Sequence, residues 1–200
     1  MYVKICGLRT AEHTQVAIDA GADAVGVVMN ATSARRASEA EASAVIATAA
    51  GRVDTVLVVN DMAAADAATI VKRLGFDVLQ LHGKAYAEAD FEAARAILPR
   101  VWRATSLAAQ PPLEIGVWGE EALLLDAPKA GSGERWDLSP LADLDLDGHW
   151  MVAGGLSPDN VAEVIAAVAP WGVDVSSGVE SAPGEKSSDL IRAFVAHARA

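Results

Sequence analysis

The chain has 200 residues, 52% of them hydrophobic, with 16 Lys+Arg against 27 Asp+Glu and a formal net charge of -11. The hydrophobic share excludes a disordered chain, and the acidic balance argues against nucleic-acid affinity, which needs a basic footprint. One cysteine makes no internal disulfide and no thiolate metal cluster, and no stretch approaches the ~18 uninterrupted apolar residues of a membrane span. The length fits one domain over residues 1–200. Met1-Tyr2-Val3-Lys4-Ile5-Cys6 reads as a strand and not as a signal peptide, so a soluble, cytoplasmic protein is the expectation.

Short β-branched stretches alternate with alanine-rich amphipathic ones. In chain order the pattern predicts strands over residues 2–6, 24–29, 53–59, 78–81, 100–104, 122–125, 150–153 and 173–176. Helices are predicted between them, over residues 10–20, 39–49, 63–74, 87–98, 139–144, 157–168 and 186–198, with a weaker candidate at 114–119. Asp61 stands before the third helix, and Ser157-Pro158-Asp159 puts a capping hydroxyl ahead of a first-turn proline. Gly21 and Gly75 sit where helices must stop. Eight strands, apolar on both faces and separated by helices, indicate a parallel sheet covered on its faces. Eight βα units in 200 residues make a compact (β/α)8 TIM barrel at the lower end of its size range; an open doubly wound sheet is the alternative. Pro111-Pro112 follows the fifth strand, so the fifth helix is expected to be short or missing.

In a barrel, chemistry sits at the C-terminal ends of the strands. Strand 1 ends in Cys6-Gly7-Leu8-Arg9. Free cysteine is usually a small buried hydrophobe, but a thiolate there serves as a base or nucleophile if a positive field lowers its pKa. Strand 6 runs into Asp126. Either it caps a loop, or apolar surroundings make it an acid near neutral pH. Strands 1 and 6 are not neighbours, so Cys6 and Asp126 would face each other across a substrate. Glycine-rich turns follow strands 6, 7 and 8: Gly131-Ser132-Gly133, Gly154-Gly155 and Ser176-Ser177-Gly178. Such turns let backbone N–H groups approach a phosphate, and the last two match the recurrent phosphate position of this fold. Arg35 and Arg36 stand out in an acidic chain as candidates for a carboxylate, against the plainer reading of a solvated loop. His82, at the end of strand 4, is either an acid–base group or a hydrogen-bonded structural histidine.

Several segments together closely resemble the N-(5′-phosphoribosyl)anthranilate isomerase family of tryptophan biosynthesis. They are Lys4-Ile5-Cys6-Gly7-Leu8, Gly21-Ala22-Asp23-Ala24-Val25-Gly26, Gln80-Leu81-His82-Gly83, Leu124-Leu125-Asp126, residues 153–161 and residues 172–180. The resemblance runs end to end, in the same order. It implies a (β/α)8 barrel that needs no cofactor or metal and turns phosphoribosylanthranilate into 1-(o-carboxyphenylamino)-1-deoxyribulose 5-phosphate, an Amadori rearrangement. It implies that Cys6 is the general base, that Asp126 is the general acid and that Arg35 faces the anthranilate carboxylate. It places Gly131, Ser132, Gly133, Gly154, Gly155, Ser176 and Ser177 in the phosphate cradle, with Asp174 and His82 among the substrate-binding residues. A small phosphorylated molecule is the expected partner, without nucleic acid or membrane, and a monomer is expected.

The chain departs from the pattern in places. Ala34 stands where the family often has proline, Arg36 doubles the charge, and the approach from Asp126 to Gly131 is short. A sugar-isomerising barrel of the histidine-pathway ProFAR type would carry an aspartate at the end of strand 1, where Cys6 stands. A phosphate-binding barrel without catalysis would leave Cys6 and Asp126 dispensable.

Overall fold

The computed structural model describes residues 1–127, 141 and 146–200. Eight parallel strands pair in sequence order: β1 (Tyr2–Cys6), β2 (Ala24–Val28), β3 (Asp54–Val59), β4 (Val78–His82), β5 (Val101–Ser106), β6 (Ala122–Asp126), β7 (Trp150–Val152) and β8 (Gly172–Val175). Pairing of β8 with β1, Ile5 beside Val175, closes the barrel and excludes the open sheet, because closure leaves no edge strand. Among the described residues six α-helices accompany the sheet: α1 (Ala11–Ala20), α2 (Glu39–Ala49), α3 (Ala64–Leu74), α4 (Glu88–Arg95), α5 (Val161–Val168) and α6 (Ser188–Ala198).

Alternation along the strands sorts the apolar side chains into two layers. Val58, Val78, Trp102, Leu124 and Met151 pack inside the barrel, while Ile5, Leu57, Leu79, Leu123 and Val173 pack against the helices. Gly21 and Gly75 close α1 and α3 in the left-handed region, at φ +96 and +86. Two residues on, Asp23 and Asp77 accept the N–H groups of Val3 and Thr55 from neighbouring strands, each at 2.8 Å. These turns tie the N-terminal end of the barrel and leave the C-terminal strand ends to the loops.

The fifth helix is missing, as the double proline predicts. A short 3-10 turn (Leu107–Ala109) and irregular chain lead from β5 to β6, and residues 114–119 form turns. Buried Arg103 on β5 organises this segment. Its Nε donates to Glu120 Oε1 at 2.6 Å, Nη1 to the Pro112 carbonyl at 2.7 Å and Nη2 to the Glu114 carbonyl at 3.1 Å. Trp118 lies under the guanidinium, 4.9 Å from its centre. Arg103→Met strands the fully buried Glu120 carboxylate without its cation. It should lower unfolding free energy by about 3–5 kcal/mol in urea titration, and Glu120→Gln on top should recover part of that loss.

Other differences fall at element boundaries. Asp61 does not cap α3; it accepts the Ala31 N–H at 2.7 Å, and Ala63 holds the cap position with no side-chain bond. The helix expected from residue 157 begins at Val161. Asn160 folds the preceding turn back on itself, accepting the Ser157 N–H and donating to the Gly155 carbonyl, each at 2.8 Å. The last helix begins at Ser188, capped by Ser187, because β9 (Glu180–Ala182) and β10 (Glu185–Lys186) form a hairpin first. The helix expected over 139–144 lies outside the described residues except for Leu141.

Candidate active site

Strand period places Lys4 and Cys6 on one inward face of β1. Lys4 is completely buried, and its Nζ donates to Asp174 Oδ1 of β8 at 2.8 Å. Its charge also acts on the thiol of Cys6, two residues on along the same strand face. Gly26 on β2 makes the room: a Cβ there would sit 2.9 Å from Cys6 Sγ and 3.2 Å from Lys4 Cε. Burial works against the Lys4 charge, yet Asp174 and Cys6 outweigh it and hold the ammonium above its usual pKa. Burial pushes the Cys6 thiol up, Lys4 and Lys186 pull it down, Asp174 pushes it up, and the net result is a raised pKa.

A second network covers Cys6 from the loops. Lys186 Nζ donates to the Ser176 carbonyl and to Glu180 Oε1, each at 2.8 Å, and to Ser176 Oγ at 3.3 Å. Ser176 Oγ in turn donates to the Cys6 carbonyl at 3.2 Å. Arg35 grips the same Glu180 with two bonds, Nε at 2.7 Å and Nη2 at 3.0 Å. Burial opposes ionisation of Glu180, but these cations and the Gly184 N–H hold its carboxyl down at about 2. Burial lowers Lys186 below the usual lysine value. Gly7, at φ +77, packs between these groups: a Cβ would lie 3.0 Å from Arg35 Cδ, 3.1 Å from Ser176 Oγ and 3.4 Å from Lys186 Nζ.

Across the mouth, buried Asp126 ends β6. Its Oδ1 accepts the Ala127 N–H at 2.8 Å, and Oδ2 lies 3.3 Å from His82 Nε2. Asp126, Gly154, Gly155, Asp174, Ser176 and Ser177 line one pocket. Gly154, at φ +83, admits no side chain: a Cβ would fall 2.6 Å from Asp126 Oδ1 and 2.5 Å from the Ala127 nitrogen. At Gly178 a Cβ would collide with the Leu156 carbonyl, so the turns after β7 and β8 press together.

Cys6, Arg35, His82, Asp126, Gly154, Gly155, Asp174, Ser176 and Ser177 thus gather at the C-terminal end of the barrel. Gly131, Ser132 and Gly133 lie outside the described residues. Sequence reasoning passed over Lys4, Lys186 and Glu180. Lys4 carries a legible signal, since a charge two residues before Cys6 on the same strand face points into the barrel. Lys186 was hidden by assignment to a helix it precedes.

The family profile described as N-(5'phosphoribosyl)anthranilate (PRA) isomerase matches residues 3–197. An N-(5'-phosphoribosyl)anthranilate isomerase of Rhodopseudomonas palustris (strain BisB18) is 40% identical over 210 residues, covering 100% of this chain and 96% of that protein. The crystal structure of TrpF from Jonesia denitrificans is 51% identical and superposes with a TM-score of 0.92, covering 100% of this chain and 97% of that one. A phosphoribosyl anthranilate isomerase in complex with reduced 1-(o-carboxyphenylamino)-1-deoxyribulose 5-phosphate is 30% identical, with a TM-score of 0.83 over 100% of this chain and 98% of that one.

Proposed function

The chain belongs to the N-(5′-phosphoribosyl)anthranilate isomerase family of tryptophan biosynthesis, and from that premise we propose how its residues divide the Amadori rearrangement. Asp126 gives its proton to the ribose ring oxygen. The C1′–O bond breaks as the anthranilate nitrogen lone pair forms an iminium. That cation acidifies C2′, and the Cys6 thiolate removes the C2′ proton. The C2′–H electrons form the C1′=C2′ bond and the iminium electrons return to nitrogen, giving an enolamine that tautomerises to the ketone. Each general acid–base step contributes about 10²–10⁴-fold.

A thiol raised by burial suits this order of events. The iminium brings a positive charge to the face where Lys4 and Lys186 already favour the thiolate. The phosphate binds at the turns of Gly154-Gly155 and Ser176-Ser177, with Gly131, Ser132 and Gly133 completing the cradle, and anchors the unreacting end. Arg35 meets the anthranilate carboxylate with the part of its guanidinium that Glu180 leaves unoccupied. Asp174 holds the sugar hydroxyls, and His82, partly exposed beside Asp126, borders the ring oxygen. The protein acts as one domain over 1–200, as a cytoplasmic monomer on a small phosphorylated substrate. The described residues expose few large hydrophobic side chains, Met1 and Val117, and no helix among them is long and apolar enough to cross a membrane.

The observation that carries this reading is the placement of Cys6 and Asp126 on opposite sides of one mouth, with the glycine turns beside them. Its test is loss of phosphoribosylanthranilate fluorescence on adding purified protein, the substrate being made in situ from anthranilate and phosphoribosyl pyrophosphate. Rapid loss is expected. Loss no faster than spontaneous hydrolysis, from folded protein, would sink it.

A further inference from the structure

Val78, Gln80 and His82 share the inward face of β4. Gln80 is 1% exposed, in register with Val58 on one side and Trp102 on the other. Among the described residues its Oε1 meets no donor. A buried amide with its oxygen unmet is a burden on the fold that leucine or methionine would not impose. Such a local violation points to function. The hydrogen bond this side chain does make runs to His82, Nε2 to Nδ1 at 3.4 Å.

An amide nitrogen only donates, so the Nδ1 that receives it must carry the lone pair, and the ring proton then resides on Nε2. That nitrogen lies 3.3 Å from Asp126 Oδ2. We propose that Gln80 is a positioning residue: by donating to His82 Nδ1 it selects the tautomer whose Nε2–H faces the Asp126 carboxyl. Oδ1 already accepts the Ala127 N–H, so both oxygens then meet donors. This arrangement stabilises the carboxylate that Asp126 becomes once it has protonated the ring oxygen, where negative charge develops. The opposite amide orientation would place Oε1 on an Nδ1–H and turn a bare Nε2 toward Asp126. That tautomer would draw the acid's proton to the imidazole and away from the substrate.

The proposal rests on the reading of Asp126 as the acid, and the experiment separates the two. Nitrogen-15 NMR of the full chain at neutral pH reads the His82 tautomer, with its signals among the four histidines assigned by their loss in His82→Asn. A lone-pair Nδ1 and a protonated Nε2 are expected; an Nδ1–H tautomer overturns the proposal. Gln80→Leu should shift the tautomer balance and lower kcat about 10- to 100-fold, the rate equivalent of one hydrogen bond to a charged group. KM should stay within about twofold, and thermal stability should not fall, since an orphaned amide is removed. Wild-type kcat in that variant overturns the proposal. Asp126→Asn tests the acid reading alone: turnover retained there would sink that reading while leaving the tautomer measurement intact.

Discussion

Cys6→Ser should leave the barrel folded and lower kcat by about 10²- to 10⁴-fold, the contribution of one general acid–base group. Serine nearly matches cysteine in size, so the close packing of β1 against Gly26 of β2 survives. A serine hydroxyl does not ionise in the working range, so proton removal from C2′ loses its base. Asp126→Asn should cost a similar factor for a different reason. The carboxamide oxygen still accepts the Ala127 N–H that Oδ1 holds now, but no proton reaches the ring oxygen. The two losses are told apart by substrate deuterated at C2′. With Cys6→Ser, C–H cleavage limits the rate and the isotope effect on kcat grows. With Asp126→Asn, ring opening limits and the isotope effect falls toward unity. An unchanged isotope effect in both variants would void the assignment, and the opposite pattern would reverse it.

The periodic parts of this chain were legible because the barrel repeats one local rule. Inward and outward residues alternate on every strand, and glycines such as Gly21 and Gly75 end helices wherever the chain must turn back. What failed to show was non-local. Asp61 has the chemistry of a cap and the position of one, yet its carboxylate is taken by Ala31, 30 residues away. Lys186 reads as the start of a helix because its neighbours favour helix, while its ammonium closes a network with Ser176 and Glu180. Arg103 carried no sequence signal for its role, because its partners Pro112, Glu114 and Glu120 lie in the irregular chain that follows the strand. The strand ends alone predicted where Cys6 and Asp126 stand, at the mouth of the barrel, and left each with a structural reading beside the chemical one. Lys4 was within reach, two residues before Cys6 on the same face, but its partner Asp174 was not, being 170 residues away in sequence.

That pair has the larger consequence for both stability and pH. Lys4→Met leaves Asp174 buried without the cation 2.8 Å away. Breaking a buried pair on one side costs about 3–5 kcal/mol, against a typical total stability of about 5–15 kcal/mol. The single variant should therefore unfold at markedly lower urea, and Lys4→Met with Asp174→Asn should recover much of the loss by removing both charges. The double variant also isolates the effect on Cys6. Lys4 lowers the thiol pKa and Asp174 raises it, and Lys4 contributes more. Removing both leaves burial as the dominant influence, with Lys186 still pulling down, so the folded-state thiol pKa moves further up. A base must be deprotonated to act, so the acid limb of kcat/KM should move to higher pH. Alkylation of Cys6 by iodoacetamide should show the same displacement in the absence of substrate, which separates it from any loss of sugar contacts at Asp174. An acid limb and an alkylation profile both unmoved in the folded double variant would show that Lys4 serves packing and pairing alone, and that Lys186 or the substrate's own iminium sets the state of the thiol.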